Sequence, residues 1–291
     1  MNTTKHDLFF PDLESRAKKY TARASVPDFD ACVAEYHALS NHAKERCAGI
    51  FDVHYGMGAA ERLDIFPAKY ADQPAPVFVF FHGGYWRSQT KEDAALMAST
   101  FTDAGIAVVV VEYTLLPEAT LFEVVREVRS AIAWLYQNAG HYGIDKNRIH
   151  AGGSSAGAHL VGMLTAPGWQ PLYQVPDDVI KGGVLLSGLY DLRPLCDIYA
   201  NEWLRLDQAQ ASAMSPLFHL PEVAPRVIVS VGGQETDAFK NQTAAYLDAW
   251  RAQGLEATYV EAEHCNHFNL LSELAYPDSD LSKACLDMIK A

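Results

Sequence analysis

Cysteine is scarce in this chain, and its pattern is uninformative: five residues (Cys32, Cys47, Cys196, Cys265, Cys285), an odd number without a C-x-x-C pair. That spacing argues against a disulfide framework and a cysteine zinc site, and fits thiols kept reduced. Long apolar runs are missing too. No stretch approaches the roughly 18 to 20 residues needed to cross a bilayer. The opening stretch MNTTKHDLFFPDLESRAKKY has no apolar core and carries acidic residues, unlike a secretory signal. A soluble, cytoplasmic protein without a membrane partner is the expectation. Basic charge is in deficit, with 23 Lys+Arg against 36 Asp+Glu and a formal net charge of −13. Phosphate binding needs a basic face, so nucleic acid is excluded as a partner. No low-complexity tract, internal repeat or clear linker divides the 291 residues, which read as a single domain spanning 1–291.

What is present is an alternation. Residues 1–48 read as a polar helical region, with an amphipathic stretch from Ala31 to Cys47 behind the start signal Pro27-Asp28. Phe51–Tyr55 and Arg62–Phe66 alternate like two strands of a hairpin. Val77-Phe78-Val79-Phe80-Phe81 is a continuous apolar run, typical of a strand buried on both faces. Similar runs recur at Ile106–Val111, Val184–Leu186 and Val227–Val231, with a last strand at Ala257–Glu261. Helical stretches fall between them, at Lys91–Ala104, Leu121–Asn138, Ala156–Leu164 and Ala238–Gln253. Such alternation builds right-handed β-α-β units into an α/β fold with a mostly parallel, doubly wound sheet. Residues 189–217 break the rhythm after a strand. An insertion there sits over the C-terminal edge of the sheet, where such folds bind ligands. Together with the N-terminal helical region it reads as a partial lid.

The densest signal is Arg148–Leu160, RIHAGGSSAGAHL. Gly153-Ser154-Ser155-Ala156-Gly157 fits G-x-S-x-G, the strand-to-helix turn that presents a nucleophilic serine in α/β-hydrolases. The turn strains the serine backbone and leaves no room two residues to either side, and both of those positions are glycine. The pattern is short, but it lies between an apolar strand and a helix-forming run, as the turn requires.

A serine hydroxyl needs a base to take its proton. In this fold the order along the chain is serine, acid, histidine. Of eleven histidines, only His264 and His267 lie far enough downstream, and His267, in Asn266-His267-Phe268 before the final helix, is the better placed. The acid must follow Val227–Val231, where Glu235 and Asp237 both qualify. Glu235 is nearer the strand end; Asp237 also suits the first turn of the following helix. A carboxylate there orients the imidazole and stabilises the imidazolium. The oxyanion hole belongs to the loop after the third strand, His82-Gly83-Gly84-Tyr85-Trp86. The N–H groups of Gly83 and Gly84 form one arm and that of Ala156 the other. His82 and His159 are expected to hold structure, and Cys265 to be a bystander thiol. Neither His264 nor His267 shows a third-ligand spacing, so no metal and no other cofactor is expected.

With these residues assembled, the chain resembles the kynurenine formamidase (arylformamidase) group of α/β-hydrolases, and more distantly the hormone-sensitive-lipase-like esterases. The resemblance covers roughly residues 48–275. It rests on HGGYWR (His82–Arg87), GSSAGAHL (Gly153–Leu160), SGLYDLRPL (Ser187–Leu195), ETDAFKNQ (Glu235–Gln242) and NHF (Asn266–Phe268). General lipase-type esterases carry a third glycine where this chain has Tyr85. The resemblance gives Ser155, Glu235 and His267 the triad roles, although many members have Asp where Glu235 stands, which leaves Asp237 open. It implies a serine hydrolase that cleaves a formyl-type amide of an arylamine such as N-formylkynurenine through an acyl-enzyme. The alternative is a short-chain carboxylesterase, or a hydrolase of another amide or carbamate. Tyr85 and Trp86, beside the oxyanion loop, are expected to bind substrate and to restrict the acyl group to a small one. The partner implied is a small molecule, with a homodimer as the assembly expected if the chain associates.

Overall fold

The computed structural model describes residues 6–70 and 72–291. Residues 1–5 of the expected N-terminal helical region lie outside that range. The strands are β1 (Ile50–His54), β2 (Arg62–Phe66), β3 (Ala75–Phe81), β4 (Ala107–Val111), β5 (Ile144–Ser154), β6 (Ile180–Leu186), β7 (Arg226–Ser230) and β8 (Ala257–Tyr259). They form one sheet in the order β1-β2-β4-β3-β5-β6-β7-β8. The β1–β2 and β2–β4 pairs are antiparallel, and every later pair is parallel. The protein therefore has the mostly parallel sheet of an α/β-hydrolase. The apolar runs lie in the middle of the sheet because helices cover both its faces: every residue of β3 and β4 is buried.

The helices Leu121–Asn138, Ala156–Thr165 and Asp237–Ala252 agree with the sequence expectation to within about two residues. The expected helix Lys91–Ala104 does not form as one piece. A 3₁₀ turn at Lys91–Asp93 is followed, after a break, by a short helix at Ala98–Asp103. Lys91 explains the early turn. Its ammonium is drawn inward, 2.9 Å from the fully buried Asp64 carboxylate on β2, instead of lying on a solvated helix face.

Two segments cover the C-terminal edge of the sheet. The first is N-terminal: a helix at Leu13–Lys19, a 3₁₀ turn at Ala22–Ser25 and a helix at Phe29–Arg46. The second, residues 189–217, folds into short turns at Arg193–Asp197, Asn201–Leu204, Gln208–Ala213 and Pro216–Phe218. The buried Gln242 fastens both to the body. Its Oε1 accepts from the N–H groups of Tyr190 and Asp191, and its Nε2 donates to the Asp191 carbonyl and to the Tyr20 hydroxyl. Among the described residues no helix is long and apolar enough to cross a membrane.

Candidate active site

β5 runs straight into the helix Ala156–Thr165, and Ser155 occupies the corner at φ 57°, ψ −117°. A non-glycine residue pays strain to sit there, which a site can hold only when its surroundings enforce it. The surroundings do enforce it. A Cβ on Gly153 would lie 2.3 Å from the Gly157 carbonyl carbon, and one on Gly157 would lie 2.0 Å from the Phe81 carbonyl oxygen. The Ser155 N–H donates to the Leu186 carbonyl (2.8 Å), tying the corner to β6.

His267 and Glu235 meet beyond the ends of β7 and β8. Nδ1 of His267 lies 2.5 Å from Oε2 of Glu235, whose side chain is fully buried. An ionised carboxylate can only accept, so Nδ1 carries the proton and Nε2 is left as the basic nitrogen. The other carboxylate oxygen accepts from the Ser187 hydroxyl (2.5 Å) and the Gly232 N–H (2.7 Å). The Gly232-Gly233 pair lets the acid loop and the histidine loop touch. A Cβ on either glycine would come within 2.5 Å of the backbone of Cys265 or Glu263. Asn266 shapes the turn that aims the imidazole, its Oδ1 accepting from the N–H groups of Phe268 and Asn269. The Phe239 ring packs on His267 with centroids 4.3 Å apart.

Asp237 lies elsewhere. It is exposed in the first turn of its helix and pairs with Lys19, which holds its carboxyl below the usual carboxylate range. The structure brings Glu235, not Asp237, to His267.

The loop after β3 is held from below. His82 puts Nε2 3.0 Å from Glu112 and stacks on Tyr113, whose hydroxyl donates to the His82 and Gly83 carbonyls. Gly84 (φ 88°), Tyr85 and Trp86 (each φ 56°) turn the chain back on itself, and a Cβ on Gly84 would meet the Ser88 carbonyl at 2.0 Å. Among the described residues the N–H groups of Gly83 and Gly84 have no backbone acceptor. The N–H of Ala156 opens a helix and so has no intrahelical partner.

A cavity of about 390 Å³ opens over this floor, bordered by Gly83, Gly84, Tyr85, Ser155 and His267. Its other walls come mainly from the N-terminal segment, through Arg23, Phe29, Val33 and Tyr36. Gln89 and Asp93 close one side, and Phe268 and Leu271 another. Residues 189–217 contribute only Tyr199 to the lining.

Two expectations need correcting. Trp86 is fully buried and does not border the cavity. Its left-handed backbone sends the indole beneath the loop, edge-on to His159 with centroids 4.9 Å apart. Tyr85 does reach the cavity, and its hydroxyl donates to the Tyr20 carbonyl at 2.8 Å. Trp203 covers Tyr85 from outside, donating its indole N–H to the Tyr85 carbonyl at 3.1 Å. The second correction concerns ligand spacing. The fold brings Glu273 to His264 and Cys265, with one donor atom of each within 4.8 Å of the others, a donor set that suits zinc. His267 is not part of that group. Burial, with Glu273 and Glu235 nearby, pushes the Cys265 thiol up to about 11, so it stays protonated and unreactive.

Sequence reasoning missed Ser187, Asn266 and Gln89. Ser187 had a signal, its position immediately after β6 beside the acid strand β7. Asn266 shapes its turn and Gln89 borders the cavity, positions that only the folded chain reveals.

Residues 63–170 match the BD-FAE family model. The chain is 30% identical over 270 residues to a kynurenine formamidase of Salmo salar, covering 89% of this chain and 90% of that protein. It is 28% identical over 284 residues to a kynurenine formamidase of Danio rerio, covering 96% and 95%. A solved structure from Silicibacter sp. TM1040, described as a thioesterase candidate, superposes with a TM-score of 0.77 at 29% identity, covering 94% of this chain and 98% of that one.

Proposed function

Because this chain belongs to the kynurenine formamidase family of α/β-hydrolases and is a hydrolase of amide or ester type, we propose that it removes a formyl group from an arylamine such as N-formylkynurenine, with Ser155 as nucleophile. The observation that carries this reading is the charge-assisted contact of buried Glu235 with His267, which itself borders one cavity with Ser155 and the oxyanion loop.

The chemistry runs in two halves. Ser155 Oγ attacks the formyl carbon while Nε2 of His267 takes the hydroxyl proton, and the carbonyl electrons move onto oxygen. The N–H groups of Gly83, Gly84 and Ala156 receive that oxyanion; one such donor is typically worth about 3 to 4 kcal/mol in the transition state. The C–N bond then breaks as His267 returns the proton to nitrogen, leaving formyl-Ser155 and a free arylamine. Water, deprotonated by the same nitrogen, attacks the ester, and as the acyl C–O bond breaks the proton passes to Ser155 Oγ, releasing formate and restoring the serine. Glu235 keeps the imidazole in one tautomer and stabilises its cation throughout.

The cavity supports the substrate class. Tyr85 and the loop beneath it confine the acyl side, while Phe29 and Phe268, 5.1 Å apart edge to face, offer an aromatic wall for the leaving group. Arg23 stands on the rim, over the Phe29 ring at 4.4 Å, where an amino-acid carboxylate can reach it. Incubation with N-formyl-L-kynurenine should release formate and kynurenine in equal amounts, and Ser155→Ala should release neither. Product formation by Ser155→Ala at the wild-type rate would refute the mechanism.

A further inference from the structure

We propose that Gln89 is a specificity-determining residue that makes this site an amidase more than an esterase, its side-chain carbonyl accepting the hydrogen on the scissile amide nitrogen. The inference rests on the deformylase reading above and goes beyond it by naming the group that distinguishes amide from ester.

Three observations carry it. Gln89 borders the same cavity as Ser155 and His267. Its Oε1 lies 3.3 Å from the point where a Cβ on Gly83 would sit, and Ser155 Cβ lies 3.4 Å from that same point. The glutamine carbonyl and the Ser155 side chain therefore both pack against Gly83, where a β-carbon would be crowded. Finally, Gln89 has a left-handed backbone, φ 65°, behind the tight turn in which the N–H groups of Arg87 and Ser88 both donate to the Gly84 carbonyl. Strain of this kind gathers where a side chain must be aimed. Among the described residues the Gln89 amide has no hydrogen-bond partner, so it is free for a ligand.

The chemistry explains why an acceptor belongs there. When Ser155 adds to the carbonyl, the amide nitrogen becomes pyramidal, and its lone pair must face His267 to receive the proton. Its remaining N–H then points away from the histidine, toward the cavity wall that Gln89 borders. An unpaired N–H in such a place is costly, and an acceptor that meets it in the transition state lowers the barrier. An ester oxygen carries no hydrogen there and gains nothing from the same acceptor. No bond forms or breaks at Gln89.

The test compares Gln89→Met with wild type on two substrates. For N-formyl-L-kynurenine, kcat/KM should fall about tenfold, the worth of one hydrogen bond. For phenyl acetate it should stay within about twofold, which also reports that the variant is folded. A second measurement needs no variant: wild type should cleave formanilide at least about tenfold faster than N-methylformanilide, and the gap should close in Gln89→Met. Equal losses on amide and ester, as an oxyanion donor would give, overturn the inference, as does no loss on either. Equal wild-type rates for the two formanilides overturn it as well. A wild-type protein without deformylase activity overturns the functional reading and this inference together.

Discussion

The floor and the roof of the cavity are built on different principles. The floor is set by backbone: Gly153, Gly157, Gly84, Gly232 and Gly233 each lie where a side chain would strike a neighbouring main chain. The roof is set by side chains that reach across long stretches of sequence. Tyr85 donates to the Tyr20 carbonyl, Thr21 hydroxyl donates to the Tyr199 hydroxyl, and Gln242 joins Tyr20 to the Asp191 turn. A backbone constraint permits almost no alternative residue, whereas a side-chain strap can be rebuilt in many ways.

Changes in the floor should abolish turnover without unfolding the protein. Ser155→Ala is expected to lower kcat by about 10⁴-fold or more, with an unchanged denaturation midpoint. Glu235→Ala should cost about 10³-fold or more, since His267 loses both its orientation and its counter-charge. Asp237→Ala, which breaks only an exposed pair with Lys19, should stay within about twofold. Steady-state rates of the two acid variants side by side decide between Glu235 and Asp237.

Behind the floor lie two buried histidines that make stability depend on pH. Burial brings His159 and His150 down to about 4 each. Between pH 4 and the ordinary value near 6.5, the unfolded chain binds protons that the folded chain refuses. Their contribution is therefore complete above about pH 6.5 and is lost as pH falls toward 4, on the order of 3 kcal/mol per histidine. Urea denaturation at a series of pH values should show this slope, and His159→Gln should flatten it. A slope unchanged by that substitution would remove His159 from the account.

Roof changes should behave in the opposite way, moving stability or KM more than kcat. Gln242→Leu leaves two buried N–H groups and two acceptors without their amide partner, and is expected to destabilise by about 2 to 3 kcal/mol in urea titration. Arg23→Ala, at the exposed rim, should raise KM for N-formyl-L-kynurenine several-fold while leaving phenyl acetate unaffected, because only the former carries a carboxylate. A Gln242 variant that is fully stable yet loses kcat would break the division between floor and roof.

The same division decides what could be read in the sequence. The strand-corner-helix around Ser155 and the doubled glycines after β3 were legible because close backbone contact demands small residues at fixed spacing. The parallel sheet was legible because strands buried on both faces read as unbroken apolar runs. Trp86 was misplaced because neighbours in sequence do not reveal which way a left-handed residue sends its side chain. A lining from both covering segments was expected, yet their share of it comes almost wholly from Thr21–Tyr36, since Trp203 turns outward onto Tyr85 and Arg87. The split at Lys91 and the approach of Glu273 to His264 depend on partners many residues away. Local pattern carries no trace of either.

The most direct test of the central claim is kcat/KM for N-formyl-L-kynurenine beside p-nitrophenyl acetate and butyrate, with Ser155→Ala as the blank. The account predicts a formamide value of roughly 10⁴ M⁻¹s⁻¹ or more, acetate cleaved ahead of butyrate, and nothing above background in the blank. Rapid ester turnover with negligible deformylation would contradict it, leaving the serine machinery in place and assigning the cavity to an ester.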